Sequence, residues 1–144
     1  MRTLQELCSA IQGHDSLEGV VTAICEPRNF TGSMDPVNEA NSLVSARGYS
    51  ALGDGWRQLS QSEAIEHLQE MLRTSLAYGV EMLSEEDSKN IAHELAEKFN
   101  SGASVWLTNG DRGSWNPVTK STFENALVVV DERNIALVLF EDED

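Results

Sequence analysis

Glu63, His67 and Glu70 stand four and three residues apart, and His93 and Glu97 repeat the four-residue step. On a helix these steps bring side chains to one face. Imidazole and carboxylate placed so can form salt bridges, or hold a metal when they point inward in a helical bundle. Here the acids fall opposite Leu68, Leu72 and Leu76, the apolar stripe of the same segment. They read as solvated partners, and no metal or cofactor is expected. The run HELAE (93–97) lacks the second histidine of the H-E-x-x-H zinc motif.

Nucleophiles are equally unmarked. Cys8 and Cys25 are the two cysteines; each lies in an apolar stretch with no basic neighbour, and no CxxC occurs. Buried, reduced thiols are the expectation. No serine sits in a G-x-S-x-G elbow, and His14, His67 and His93 are the only imidazoles available as a general base. GDGW (53–56) and NGDRG (109–113) do not follow a strand and open a helix as phosphate cradles do, so both read as turns. No catalytic residue is assigned.

Carboxylates and tryptophans carry more information. The 144 residues include 24 acids and 10 bases, a net charge of −14. Residues 60–100 hold nine acids against three bases, and residues 124–144 hold seven against one arginine. Such a chain repels nucleic acid and anionic lipid and attracts basic proteins. Glu63, Glu66 and Glu70 lie on the outer face of a helix. Asp131, Glu132, Glu141, Asp142, Glu143 and Asp144, with Glu124 at the far end of its strand, give the C-terminal strands acidic borders. Charged borders deter edge-to-edge aggregation, and they also steer a cationic partner. Trp115 sits in a long polar connection at 108–123, where it either folds back over the sheet edge or meets a partner. Trp56 in the other long loop faces the same choice, and Trp106 within a strand is core.

The elements that must position these groups follow from hydrophobic period. Leu4, Leu7, Cys8 and Ile11 make one helical stripe that Gly13 can end. Asp15 and Glu18 have capping-box spacing before Leu17, Val20, Val21 and Ile24. Gly19 and the β-branched pair argue instead for a strand over 19–25, and both readings stay open. Residues 27–59 are rich in Gly, Pro, Asn and Ser and read as a long loop-bearing segment, with helical turns at 36–46. Ser60 and Glu63 form a capping box for a helix running to about Gly79 or beyond; Ser84 caps a second, with Ile91, Leu95 and Phe99 buried. ASVWLT (103–108), ALVVVD (126–131) and IALVLF (135–140) read as strands, the last two joined by DERN as a hairpin.

The expected fold is therefore α+β in one domain, 1–144. A helical N-terminal half, with a helical hairpin at about 60–100, packs on a C-terminal antiparallel three-stranded meander. No window is apolar enough to span a membrane, and the N-terminus lacks a signal-peptide core, so a cytoplasmic protein is expected. In overall character the chain resembles the small acidic immunity proteins that accompany secreted bacterial toxins. The resemblance rests on size, charge and the acidic helix and tail (SEEDSKNIAHELAEKF, LFEDED), not on a diagnostic motif. It implies a protein that neutralises a basic partner such as a toxin nuclease. The partner-binding residues would be Glu63, Glu66, Glu70, Trp115, Asp131, Glu132 and Glu141 to Asp144. One alternative is a bacterial or phage adaptor that binds through 27–59 and 108–123. Another is a small hydrolase or transferase with an unrecognised site.

Overall fold

The computed structural model describes residues 2–28 and 35–143. In chain order the elements are α1 (Leu4–Gln12), β1 (Val20–Pro27), α2 (Pro36–Ala46), β2 (Arg57–Leu59), α3 (Gln61–Arg73), α4 (Glu85–Glu97), β3 (Val105–Thr108), the two-residue strands β4 (Gly110–Asp111) and β5 (Ser114–Trp115), β6 (Phe123–Val130) and β7 (Asn134–Asp142). The α+β class holds, but the sheet has five strands rather than three, in the order β1-β7-β6-β3-β2, and every pairing is antiparallel. The two extra strands come from the front half, which is therefore not all helical. Val20–Pro27 resolves the helix-or-strand ambiguity as a strand, because it pairs residue for residue with β7.

Strand side chains alternate between two cores. Trp106, Leu127, Val129, Ala136, Val138 and Phe140 face α1, α3 and α4. Leu107, Ala126, Val128, Val130, Leu137 and Leu139 face α2 and the segment after it. Both faces are covered, which is why β6 and β7 are apolar at successive positions. Each fully buried leucine contributes about 2 kcal/mol relative to exposure. Trp106 meets Phe99 edge to face at 6.2 Å, tying the end of α4 to the sheet.

Helix starts follow their caps. Thr3 and Ser60 each close a reciprocal capping box, with Glu6 and Glu63, and Ser84 accepts from the Asp87 N–H. The Ser60 hydroxyl and N–H also hold the Glu63 carboxyl below the usual carboxylate range. Ser60→Ala is expected to lower unfolding free energy by about 1 kcal/mol, read as a lower urea midpoint with unchanged slope. α3 stops at Arg73, six residues before the expected Gly79. Its termination is tertiary: Met82 N–H donates to Arg73 O, Ser75 N–H to Val80 O, and the Arg112 guanidinium to the carbonyls of Thr74, Ser75 and Leu76.

Residues 35–59 are more ordered than their composition implied. α2 starts at Asp35, whose side chain accepts from Asn38 N–H, with Pro36 in the first turn. Asn41 on α2 then organises the following loop. Its Oδ1 accepts from Leu52 N–H at 2.9 Å and Trp56 Nε1–H at 2.8 Å, while Nδ2 donates to Gly53 O. Trp56 is thereby buried in the α2-side core. Asn41→Leu strands these partners and is expected to cost about 2–3 kcal/mol, with red-shifted tryptophan emission. Among the described residues no helix is long and apolar enough to cross a membrane.

Candidate partner-binding surface

The α3 frame sorts its polar side chains. Glu63, Glu66 and Glu70 are exposed, whereas His67 turns toward the sheet. Its Nε2 lies 2.8 Å from Asn125 Oδ1 and 3.2 Å from Thr108 Oγ1. Asn125 Nδ2 donates to Gly110 O, so the Asn125 oxygen faces the imidazole and the ring proton sits on Nε2. On the other side, His67 Nδ1 is 3.9 Å from Asp111 Oδ1. Glu63, Glu66, His67, Asp111 and Arg57 line a groove of about 310 Å³. Glu70, His67, Leu76, Asp111 and Arg112 line an adjoining pocket of about 110 Å³.

Asp111, His67 and Thr108 have the order of a carboxylate–imidazole–hydroxyl relay. The geometry does not serve one. Thr108 is fully buried, and its hydroxyl lies 2.9 Å from Ala126 O and 3.0 Å from Gly110 O. Its single proton goes to a carbonyl, and no substrate reaches the oxygen. The cluster instead pins α3 to β3 and β6.

At the C-terminal end of β7 three carboxylates hold neighbouring donors. Glu141 Oε1 accepts from Ser121 Oγ at 2.9 Å, and Asp142 Oδ2 accepts from Ala77 N–H at 3.1 Å. Glu143 accepts from the Thr122 N–H and hydroxyl, which hold its carboxyl below the usual range. Gly19 closes against this end: a Cβ there would lie 2.3 Å from Glu141 O, and its φ is +79°. Asp142 thus sits between Gly19 and Ala77. The residues next along the chain, Val20 and Tyr78, are 61% and 68% exposed, and Val80 is 51% exposed. These are the large exposed apolar side chains among the described residues. Exposed Glu18 and Glu81 flank them. Asn125 lies opposite Phe140 and Phe123 opposite Asp142, so the α3 groove and this apolar patch share one end of the sheet.

The remaining assigned residues lie elsewhere. Asp131 and Glu132 are on the β6–β7 turn, roughly 25 Å from the Asp142 end at about 3.3 Å per strand residue. Asp131 is buried: Oδ1 accepts from Arg133 and Asn134 N–H, each at 2.8 Å, and Oδ2 from Asn100 N–H at 3.0 Å. It fixes the turn. Glu132 is exposed and accepts from Asn100 Nδ2. Trp115 is half-buried, its ring 6.2 Å from that of Phe123. Asp144 lies outside the described residues. Glu124, read from sequence as part of an acidic border, is instead interior at 0% exposure.

Arginines pair with Glu94, Glu39, Glu26 and Asp111. Among the described residues, none of Glu63, Glu66, Glu70, Glu141, Asp142 and Glu143 pairs with an arginine or lysine. Sequence reasoning missed Val20, Tyr78 and Val80, because the latter two fell within or beside an expected helix. Gly79, with φ +65°, was the available signal of a turn there. No protein-family model, curated protein or solved structure matches the chain.

Proposed function

We propose that the protein binds a basic protein through the end of the sheet that carries the α3 groove and the Glu141–Glu143 strand end, and inhibits that partner by covering its cationic site. The observation that carries this reading is the exposed patch of Val20, Tyr78 and Val80 beside the Glu141–Glu143 strand end, with exposed Glu18 and Glu81 next to it in the chain. Carboxylates there would pair with the Lys and Arg that otherwise hold nucleic-acid phosphates. The apolar centre would supply desolvated contact area inside a charged rim. A bacterial toxin nuclease is the partner class that fits this chemistry, which makes the protein an immunity-type inhibitor. The loop-adaptor alternative has less support, since Trp56 is buried and Trp115 packs on Phe123.

The test is affinity capture from the source cell at low and at high ionic strength, with mass-spectrometric identification. The expected partner is a basic protein retained at low salt and released as salt rises. A retained partner that is acidic, or that binds equally at both salt concentrations, contradicts the proposal.

A further inference from the structure

Cys8 and Cys25 meet where α1 crosses the edge strand β1. In β1, Val21, Ala23 and Cys25 turn toward the α1 side of the sheet, while Ile24 packs on the other. Two glutamines of α1 are fastened to this strand. Gln5 Oε1 lies 3.5 Å from Cys25 Sγ, and Gln12 Oε1 accepts from the Ala23 N–H at 3.0 Å. Gln5, Cys8 and Gln12 are spaced i, i+3, i+7, so Cys8 projects from the same helix face, between the two fastenings. Cys8 is buried and Cys25 half-buried, both as free thiols. The two side chains thus lie at the same α1–β1 contact, close enough for each to perturb the other's ionisation.

We propose that Cys8 and Cys25 form an oxidisable dithiol site whose co-reactant is a low-molecular-weight disulfide such as oxidised glutathione, and whose product is a covalent α1–β1 link. The half-exposed Cys25 reacts first. Its thiolate attacks one sulfur of the small disulfide, that S–S bond breaks, and one glutathione leaves as thiolate. Cys8 thiolate then attacks the Cys25 sulfur and expels the second glutathione. Two protein thiols are oxidised, one small disulfide is reduced, and the two thiol protons pass to solvent or to the leaving thiolates.

Burial sets the rate. It pushes the Cys8 thiol up to about 12, with the nearby Cys25 adding to the effect, and it raises Cys25 as well. Little thiolate exists at neutral pH, so the reaction is slow there and accelerates as pH rises. The site therefore responds to sustained oxidation rather than to a brief pulse.

The experiment is incubation of the full native chain with oxidised glutathione near pH 8.5, about the pKa of an ordinary thiol. Intact mass and free-thiol content are followed with time. Both cysteines lie in residues 3–28 with no lysine or arginine between them, so cleavage at Glu18 is used to separate them. The expected result is a monomer lighter by two hydrogen atoms, with both thiols lost and the two fragments joined until reductant is added. Cys8→Ala is expected to stop at a glutathione adduct on Cys25. Wild-type chain that accumulates the Cys25 adduct without closing the link would overturn the proposal. So would native chain that stays unreactive while urea-unfolded chain forms the disulfide.

Discussion

Glu124→Ala is expected to lower the free energy of unfolding by about 3–5 kcal/mol, among the largest effects of any single substitution in this chain. Glu124 is fully buried and forms no ion pair with an arginine or lysine among the described residues. Its two carboxyl oxygens are met by neutral donors. Oε2 accepts from Val118 N–H at 2.7 Å and Asn109 Nδ2 at 2.9 Å. Oε1 accepts from Thr119 N–H at 2.9 Å and Thr119 Oγ1 at 2.7 Å. Removing the carboxylate leaves two backbone N–H groups and one of the two Asn109 amide hydrogens without acceptors, the other still reaching Asn116 O, and each buried unpaired donor costs about 1–3 kcal/mol. The same donors close the 116–122 loop over the sheet, so the loop loosens as stability falls. Glu124→Gln keeps one acceptor oxygen but turns an amide donor toward existing donors, and an intermediate loss is expected. Urea denaturation monitored by far-UV circular dichroism reads both. A loss below about 1 kcal/mol for the alanine variant would show that water or relaxation replaces the carboxylate.

The second large effect is kinetic. Replacing Glu63, Glu66, Glu70, Glu141 and Glu143 together by glutamine is expected to slow association with the basic partner by about tenfold or more at low salt. Stability should change little. Glutamine serves the capping box at position 63 as glutamate does, and it retains an acceptor for Ser121 at 141 and for Thr122 at 143. Dissociation should respond instead to Tyr78→Ser, which removes apolar area from the centre of the patch without altering charge. A variant set in which the five glutamines alter dissociation and leave association untouched would place the carboxylates in direct contacts rather than in long-range steering.

How much of this was legible in the sequence depends on how local the deciding interaction is. The Ser60–Glu63 box and the Ser84 cap are signals within four residues, and both helices begin there. The apolar runs of β6 and β7 announce strands covered on both faces. The helical turns read at 36–46 are α2, with Asp35 as its cap and Pro36 in its first turn. β2 is three residues long and exists through its pairing with β3, so no local pattern could reveal it. The end of α3 is set by Arg112, thirty-six to thirty-eight residues away. The acids are the sharpest case. Glu124 and Glu141 face each other across β6 and β7, and composition treats them alike. Glu124 turns inward because Val118 and Thr119 return over that strand, a tertiary fact. Charge could be counted from the sequence, but the sorting of carboxylates into interior anchors and surface groups required the register.

The most direct measurement of the central claim is the association rate constant of the captured partner as a function of ionic strength, for wild-type chain and for the five-glutamine variant. A rate that falls steeply with salt for wild type, and shallowly from a lower starting value for the variant, is the predicted result. Parallel salt dependences for the two proteins would contradict it, because the carboxylates at this end of the sheet would then contribute nothing to docking.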